Sequence, residues 1–313
     1  MIFQRPSIRW SGLENTWKVH ADRAAGRGLV WLRKKEAGAA RKNGRIRGLE
    51  KKELKTERGS VFYWIEKNAA PGAKCIVFTH GLTANHSMFE KQVEYFRSAC
   101  TLITWDVPLH GISRPYRDFS YGHCAQDLNE ILEREEIGKA VLVGMSMGGY
   151  PSQEFACRYP EKTEGFIALD TTPFGTGYYS KSDIWWLKQA APMAKWFPEG
   201  LLRSSMAKSV SRTAYSRNKI LEMLRPLTKA QIIEQMDIAY GKFLDENKDM
   251  RFSCPVLILA GEYDTTGKVK AYCRAWAEKT GYPLHMIADA ALFSNGDNAG
   301  QVNAEIEGFI KQL

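Results

Sequence analysis

Two short stretches carry residue types and spacings able to do covalent chemistry. The sharper is Gly144-Met145-Ser146-Met147-Gly148-Gly149, directly after the apolar run Val141-Leu142-Val143. A serine hydroxyl attacks a carbonyl carbon only when a base takes its proton and when its oxygen stands at a fixed, exposed point. A tight strand-to-helix turn provides that point and forces strained backbone geometry on the serine. Small residues two before and two after are then required, and Gly144 and Gly148 meet that demand. The buried-strand run before the motif and the helical segment 150–158 after it separate the match from an ordinary glycine turn. The second stretch is His80-Gly81-Leu82-Thr83, following Cys75-Ile76-Val77-Phe78-Thr79. Acyl transfer would place negative charge on an oxygen, toward which N–H groups must already be aimed. Gly81 lets the chain turn toward Ser146, and the amides of Leu82 and Met147 are the natural donors. His80 reads as a structural, hydrogen-bonded histidine rather than a base.

The elements that would position these residues follow from hydrophobic patterning. After the turn Glu57-Arg58-Gly59-Ser60 comes a β-rich strand, Val61–Ile65. Short apolar runs without alternation follow at Cys75–Thr79, Leu102–Asp106, Ala140–Met145, Gly165–Asp170, Val256–Ala260 and Pro283–Ile287. Such runs are strands buried on both faces. Helical patterns lie between them, such as Asp127–Arg134 with Leu128, Ile131 and Leu132 on one side. Strands alternating with helices predict an α/β fold, a mostly parallel, doubly wound sheet.

From 172 to 250 no strand pattern occurs, and the segment reads as a helical lid inserted between two strands, over the edge where such sheets bind ligands. Thr228-Lys229-Ala230-Gln231 fits a helix-capping box, with Ile232, Met236, Ala239 and Phe243 on one face of the following helix. The lid is aromatic, with Tyr178, Tyr179, Trp185, Trp186, Trp196 and Phe197. Most of these are expected to be lid core, with Trp185 and Trp186 facing the pocket together with Phe293. Lys181, Lys188 and Lys195 read as solvated.

The stretch from 60 onward resembles the α/β-hydrolase family over about 250 residues, with motifs in the family's order. Besides the His80-Gly81 turn and the Ser146 elbow, Asp106-Val-Pro-Leu-His110-Gly111-Ile-Ser113 is similar to the family's loop after its fourth strand. Pro255-Val-Leu-Ile-Leu-Ala-Gly261-Glu-Tyr-Asp264 is similar to the strand and turn that deliver the acid. The resemblance implies that Asp264 orients an imidazole, with Asp170 as the alternative acid. It also places a histidine in the loop after the last strand, where this chain has Ala288-Asp289-Ala290-Ala291-Leu292-Phe293-Ser294-Asn295. Leu292 stands at that position. None of His20, His80, His86, His110, His123 and His285 falls in the loop, and His285, the nearest, is expected to be packed in the core.

The resemblance therefore implies a serine hydrolase of a carboxylic ester, lactone or thioester, working through an acyl-enzyme on Ser146. With leucine at 292 it is read as an inactivated form, nearly without turnover as it stands. A non-catalytic small-molecule receptor is the second reading, since gibberellin receptors resemble this fold and keep serine and acid while losing the histidine. Carbon–carbon bond hydrolysis or acyl transfer is a third. Haloalkane dehalogenases and epoxide hydrolases have a similar architecture but need a carboxylate in place of Ser146.

Composition bounds the rest. With 313 residues, 44% apolar and 25% charged, the chain suits one α/β domain with an insertion. The net charge of +9 is concentrated at the start: residues 1–58 hold 16 of the 44 Lys/Arg and 6 of the 35 Asp/Glu, leaving 28 against 29 beyond. Residues 1–53 are read as a basic extension, helical between Glu14 and Lys42, with 54–171 and 251–313 the core and 172–250 the cap. Contact of the extension with an anionic membrane is the less favoured reading of its charge, a solvated helix face the more favoured, and no nucleic-acid motif accompanies it. The six cysteines, Cys75, Cys100, Cys124, Cys157, Cys254 and Cys273, lack metal-ligand spacing and read as free, mostly buried thiols. No metal or cofactor is expected. The partner is a small molecule with an apolar or aromatic portion, and the expected compartment is the cytoplasm.

Overall fold

The structure, a computed structural model, describes residues 48–313. The helix expected between Glu14 and Lys42 lies outside the described residues. The described residues begin with two strands, β1 (Glu50–Thr56) and β2 (Gly59–Glu66), followed by β3 (Cys75–Thr79), α1 (Glu90–Phe96), β4 (Thr101–Trp105) and α2 (Tyr121–Arg134). Then come β5 (Ala140–Met145), α3 (Gly149–Arg158) and β6 (Thr163–Leu169). Four helices intervene: α4 (Lys181–Ala194), α5 (Glu199–Ser209), α6 (Ala214–Leu224) and α7 (Lys229–Glu246). The chain closes with β7 (Val256–Gly261), α8 (Val269–Thr280), β8 (Leu284–Ile287), α9 (Ser294–Asp297) and α10 (Ala299–Ile310).

All eight strands form one sheet in the order β1-β2-β4-β3-β5-β6-β7-β8. The β1–β2 and β2–β4 pairs are antiparallel, and the remaining pairs, from β4–β3 to β7–β8, are parallel. Every residue of β3, β4, β5 and β7 is buried, which explains why these strands read as unbroken apolar runs. Alternate residues serve opposite faces. Val77, Ile103, Leu142, Ala168 and Ile258 join one apolar cluster with Leu128, Phe155 and Trp276 of α2, α3 and α8. Ile76, Leu102, Val141, Ile167 and Leu257 join the other with Val93, Val302 and Ile306 of α1 and α10.

One boundary differs from expectation. Residues 50–53, assigned from the sequence to the basic extension, are the first half of β1, paired with Phe62–Ile65. Glu50-Lys-Lys-Glu53 has no apolar alternation because it is an edge strand, where charge guards the unpaired side against further strands. Among the described residues no helix is long and apolar enough to cross a membrane. All six cysteines are free, four of them buried.

The four helices between β6 and β7 fall where the sequence lacks strand patterning. Two begin with capping boxes: Ser180 with Asp183 at α4, and Thr228 with Gln231 at α7. The inner face of α7 buries Ile232, Gln235, Ala239 and Phe243.

Candidate active site

The sheet reverses direction of growth at β3, whose neighbours β4 and β5 lie on either side. The carboxyl ends of β3 and β5 therefore frame a crevice, the usual ligand position in such sheets. His80-Gly81-Leu82 leaves β3 there and Ser146 leaves β5.

The two turns touch. A Cβ added at Gly81 would sit 3.3 Å from Cβ of Ser146 and 2.9 Å from the Met145 sulfur. One added at Gly148 would lie 2.3 Å from the Thr79 carbonyl oxygen, and one at Gly144 would lie 2.6 Å from the Gly148 oxygen. These positions need glycine for space. Ser146 itself has φ of 51°, a left-handed conformation that costs a non-glycine residue about 1–3 kcal/mol. The Thr171 hydroxyl, just past β6, donates to the Ser146 carbonyl at 2.6 Å and helps hold that turn. The Ser146 side chain is half-buried, and its hydroxyl has no hydrogen-bond partner among the described residues. Met147 is the second residue of the short helical turn Ser146–Gly148, where the first amides have no partner within the turn. The Leu82 amide likewise meets no acceptor among the described residues.

His80 is fully buried and fully committed. Its Nδ1 donates to the Gly81 carbonyl at 2.8 Å and its Nε2 accepts from the Val107 amide at 3.0 Å. Only a neutral ring makes both bonds, in agreement with burial that pushes its pKa down to about 4. It braces the β3 turn against the loop after β4. Asp106 anchors the same loop: one carboxylate oxygen accepts from the His86 amide at 2.7 Å and His86 Nδ1 at 2.8 Å, the other from the Ile112 amide at 2.7 Å.

Asp264 follows β7. One of its oxygens accepts from the Thr266 amide at 2.7 Å, while the other is buried without a hydrogen-bond partner among the described residues. Burial raises its pKa above the ordinary carboxylate value, against the opposing Thr266 bond. The loop carrying Leu292 runs beside the β7 end: the Tyr263 amide donates to the Ala290 carbonyl at 2.8 Å, and a Cβ on Gly261 would strike the Ala291 oxygen at 2.2 Å. Leu292 is 7% exposed and belongs to the same apolar cluster as Met145. It offers no hydrogen-bonding atom to Asp264.

Asp170, at the end of β6, differs. It is fully buried, takes the Gly261 amide at 2.7 Å and the Ser294 amide at 3.3 Å, and also accepts from the Ser294 hydroxyl. Burial pushes its carboxyl well above the ordinary range, opposed by these three donors. It ties β6, β7 and the final loop together. Sequence reasoning missed this clip. It also missed Asp297, which accepts from the amides of Arg212, Thr213 and Ala291 and so pins the final loop to the turn before α6. A carboxylate in the short α9 segment, five residues after position 292, was the signal available for the latter.

Among the described residues no histidine bonds to Ser146 or Asp264. His86, His110 and His123 direct Nδ1 to Asp106, to the Pro108 carbonyl and to the Asp118 carbonyl. His285 is not core: its side chain is exposed on β8, the last strand of the sheet, with Nδ1 at 2.7 Å from Glu305. The sequence reading failed there because an edge strand has one open flank.

The aromatic pocket expectation is also corrected. Trp185 and Trp186 are 54% and 58% exposed on α4, edge to face against each other at 4.8 Å. Phe293 is completely buried, with its ring against Gly296, and belongs to the apolar core. A groove of about 410 Å³ does lie beside the inserted helices, between Leu109, Arg114 and Tyr116 of the β4–α2 loop and Gln231, Glu234 and Gln235 of α7. Ser146, Asp264 and Leu292 are not among the residues of its wall.

The strand ends thus present a strained serine at a strand-to-helix turn, the β3 turn packed against it and a buried carboxylate after the next strand but one. Residues 74–291 match the alpha/beta hydrolase fold family, so the chain belongs to the α/β-hydrolase family. It is 23% identical to a 3-oxoadipate enol-lactonase of Acinetobacter baylyi over 76% of this chain and 89% of that one. A shorter match, 34% identical over 32% of this chain and 34% of the other, is to an sn-1-specific diacylglycerol lipase of Mus musculus. Among solved structures, a thermophilic esterase from Thermogutta terrifontis superposes with a TM-score of 0.68 at 21% identity, covering 84% of this chain and 98% of that one. The enol-lactonase of Burkholderia xenovorans gives 0.67 at 19% identity, covering 83% and 100%.

Proposed function

We propose that the chain is a serine hydrolase of the carboxylic ester, lactone or thioester class in a form that lacks its base. Ser146 is the nucleophile, Leu82 and Met147 supply the amides that receive the oxyanion, and Asp264 is the acid. In the complete machinery an imidazole at 292 would take the Ser146 proton, the serine oxygen would bond to the substrate carbonyl carbon, and the proton would pass to the leaving alcohol or thiol. Water would then resolve the acyl-enzyme by the reverse path. Leu292 cannot accept a proton, so turnover by this chain is expected to lie about a million-fold below that of a complete triad.

The observation that carries this reading is the buried, unpartnered oxygen of Asp264 beside the loop that holds Leu292. A buried carboxylate oxygen without a donor is costly, and a ring N–H from position 292 is the partner the family's geometry would supply. The enol-lactonase relative, spanning most of the chain, supports the ester or lactone class. The ligand is a small molecule. The expectation of an aromatic body loses its support, because Trp185 and Trp186 stand open to solvent. Restoration tests the proposal: Leu292→His should raise hydrolysis of a short p-nitrophenyl ester by at least about a thousandfold. A folded Leu292→His protein with no gain rejects it.

The burial of Leu292 in the Met145 cluster favours one second reading, a ligand receptor on the same scaffold. It predicts calorimetric binding of an intact ligand that the Leu292→His protein then cleaves or binds no better. Product in every complex with the unmodified chain argues against it.

A further inference from the structure

The outward half of α4 is left bare by the rest of the fold. At about 100° per residue, Lys181, Lys188 and Lys195, seven apart, fall on one line along the helix and into its final turn. Trp185, Pro192 and Trp196 fall on the adjoining line, with Met193 and Trp186 beyond. Trp196 is 88% exposed, and Met193, Phe197 and Leu201 extend the apolar surface into α5. Ala191 and Ala194, on the opposite side, are buried. The three lysines are exposed and form no ion pair among the described residues. The two carboxylates of this stretch are occupied, Asp183 by Lys268 and Glu199 by Arg203.

We propose that this face docks the protein on an anionic lipid surface. Tryptophan rings have an apolar body and a polar N–H, which suits the headgroup boundary, and lysine stems reach from there to anionic headgroups. A helix with an apolar face bordered by cations lies in the plane of such a surface, and its binding gains from both apolar burial and charge. The carboxylates that would oppose that charge are neutralised by their own partners. The proposal is independent of the serine chemistry, since docking is read on the chain with Leu292 in place.

The test is flotation of the full chain with vesicles of phosphatidylcholine containing about a third phosphatidylglycerol, against phosphatidylcholine alone. The expected result is partition into the anionic vesicles, weakened by salt, with a blue shift of tryptophan emission. K181E/K188E/K195E should lower partition roughly a hundredfold, and W185S/W186S/W196S should remove the blue shift. All six positions are exposed, so both variants should keep the parent melting temperature. Three results overturn the proposal. One is equal binding to neutral and anionic vesicles. A second is unchanged binding by both variants, which would place the contact elsewhere, such as in the basic first residues. The third is no vesicle binding with a dimer that the tryptophan variant dissolves, which would make the face a protein interface.

Discussion

Two carboxylates sit after neighbouring strands of one sheet, yet their surroundings are opposite. Asp170, after β6, has both oxygens engaged by protein donors: the Gly261 amide and the Ser294 amide and hydroxyl. Asp264, after β7, has one oxygen on the Thr266 amide and the other without a hydrogen bond among the described residues. Both are buried, so both carry a desolvation penalty. At Asp170 the structure answers it with hydrogen bonds, and the residue becomes a clip between strand ends. At Asp264 half the answer is missing, and the turn that carries it is bonded through the Tyr263 amide to the loop that holds Leu292. The difference separates a carboxylate that holds strand ends together from one whose second oxygen is left for the partner that the proposed function assigns to it.

The widest test of that contrast uses the Leu292→His background. There, Asp264→Ala should remove most of the regained esterase activity, about ten-thousandfold, as loss of an orienting acid does in related triads. If Asp170→Ala in a folded protein does so instead, the two roles are exchanged. Stability should show the mirror image. Asp170→Ala strips the acceptor from buried Gly261 and Ser294 groups and should cost about 3 kcal/mol in chemical denaturation, whereas Asp264→Ala should cost under about 1 kcal/mol.

A smaller, pH-dependent effect follows from the raised pKa of Asp264. Below about pH 3.9, the unfolded value, the carboxyl is protonated in both states and folding carries no penalty. As pH rises from there through the higher folded value, the folded state must hold a charge it disfavours, so stability falls across that window and then levels. Asp264→Asn should therefore stabilise the Leu292 protein by about 1 kcal/mol at pH 7, with the gain vanishing near pH 4. In the Leu292→His protein, where an imidazole can pair with the carboxylate, the same change should lose that gain. Equal gains in both backgrounds would deny the pairing. The smallest effect concerns the elbow. Ser146→Gly should raise stability by roughly 1 kcal/mol at most, by relieving the left-handed conformation, while Ser146→Ala should leave it near the parent value.

Much of the site was legible because its constraints are local. Gly-x-Ser-x-Gly after an apolar run places Ser146 by backbone sterics within a few residues, and Gly81 by the same logic sits against it. His80 was readable as structural for a related reason: a histidine opening a tight turn has backbone partners within reach. What was not legible depends on which flank of an element is covered. His285 lies in a pattern that reads as core and the α4 tryptophans in one that reads as pocket wall, and the structure leaves all three open to solvent. Phe293 lies in a loop that reads as pocket lining and is fully buried. The charged β1 strand was hidden for the inverse reason, since an edge strand needs little apolar patterning.

Residue order alone therefore fixed the alternation of strands and helices, the strained turn at Ser146 and the leucine at 292. These follow from periodicity, sterics and residue identity along short stretches of chain. Only the tertiary structure decided that Asp170 is bound up while Asp264 keeps an open oxygen, and that the aromatic face of α4 looks outward. Burial and hydrogen-bond satisfaction are properties of neighbours brought together from distant parts of the chain, and no local pattern contains them.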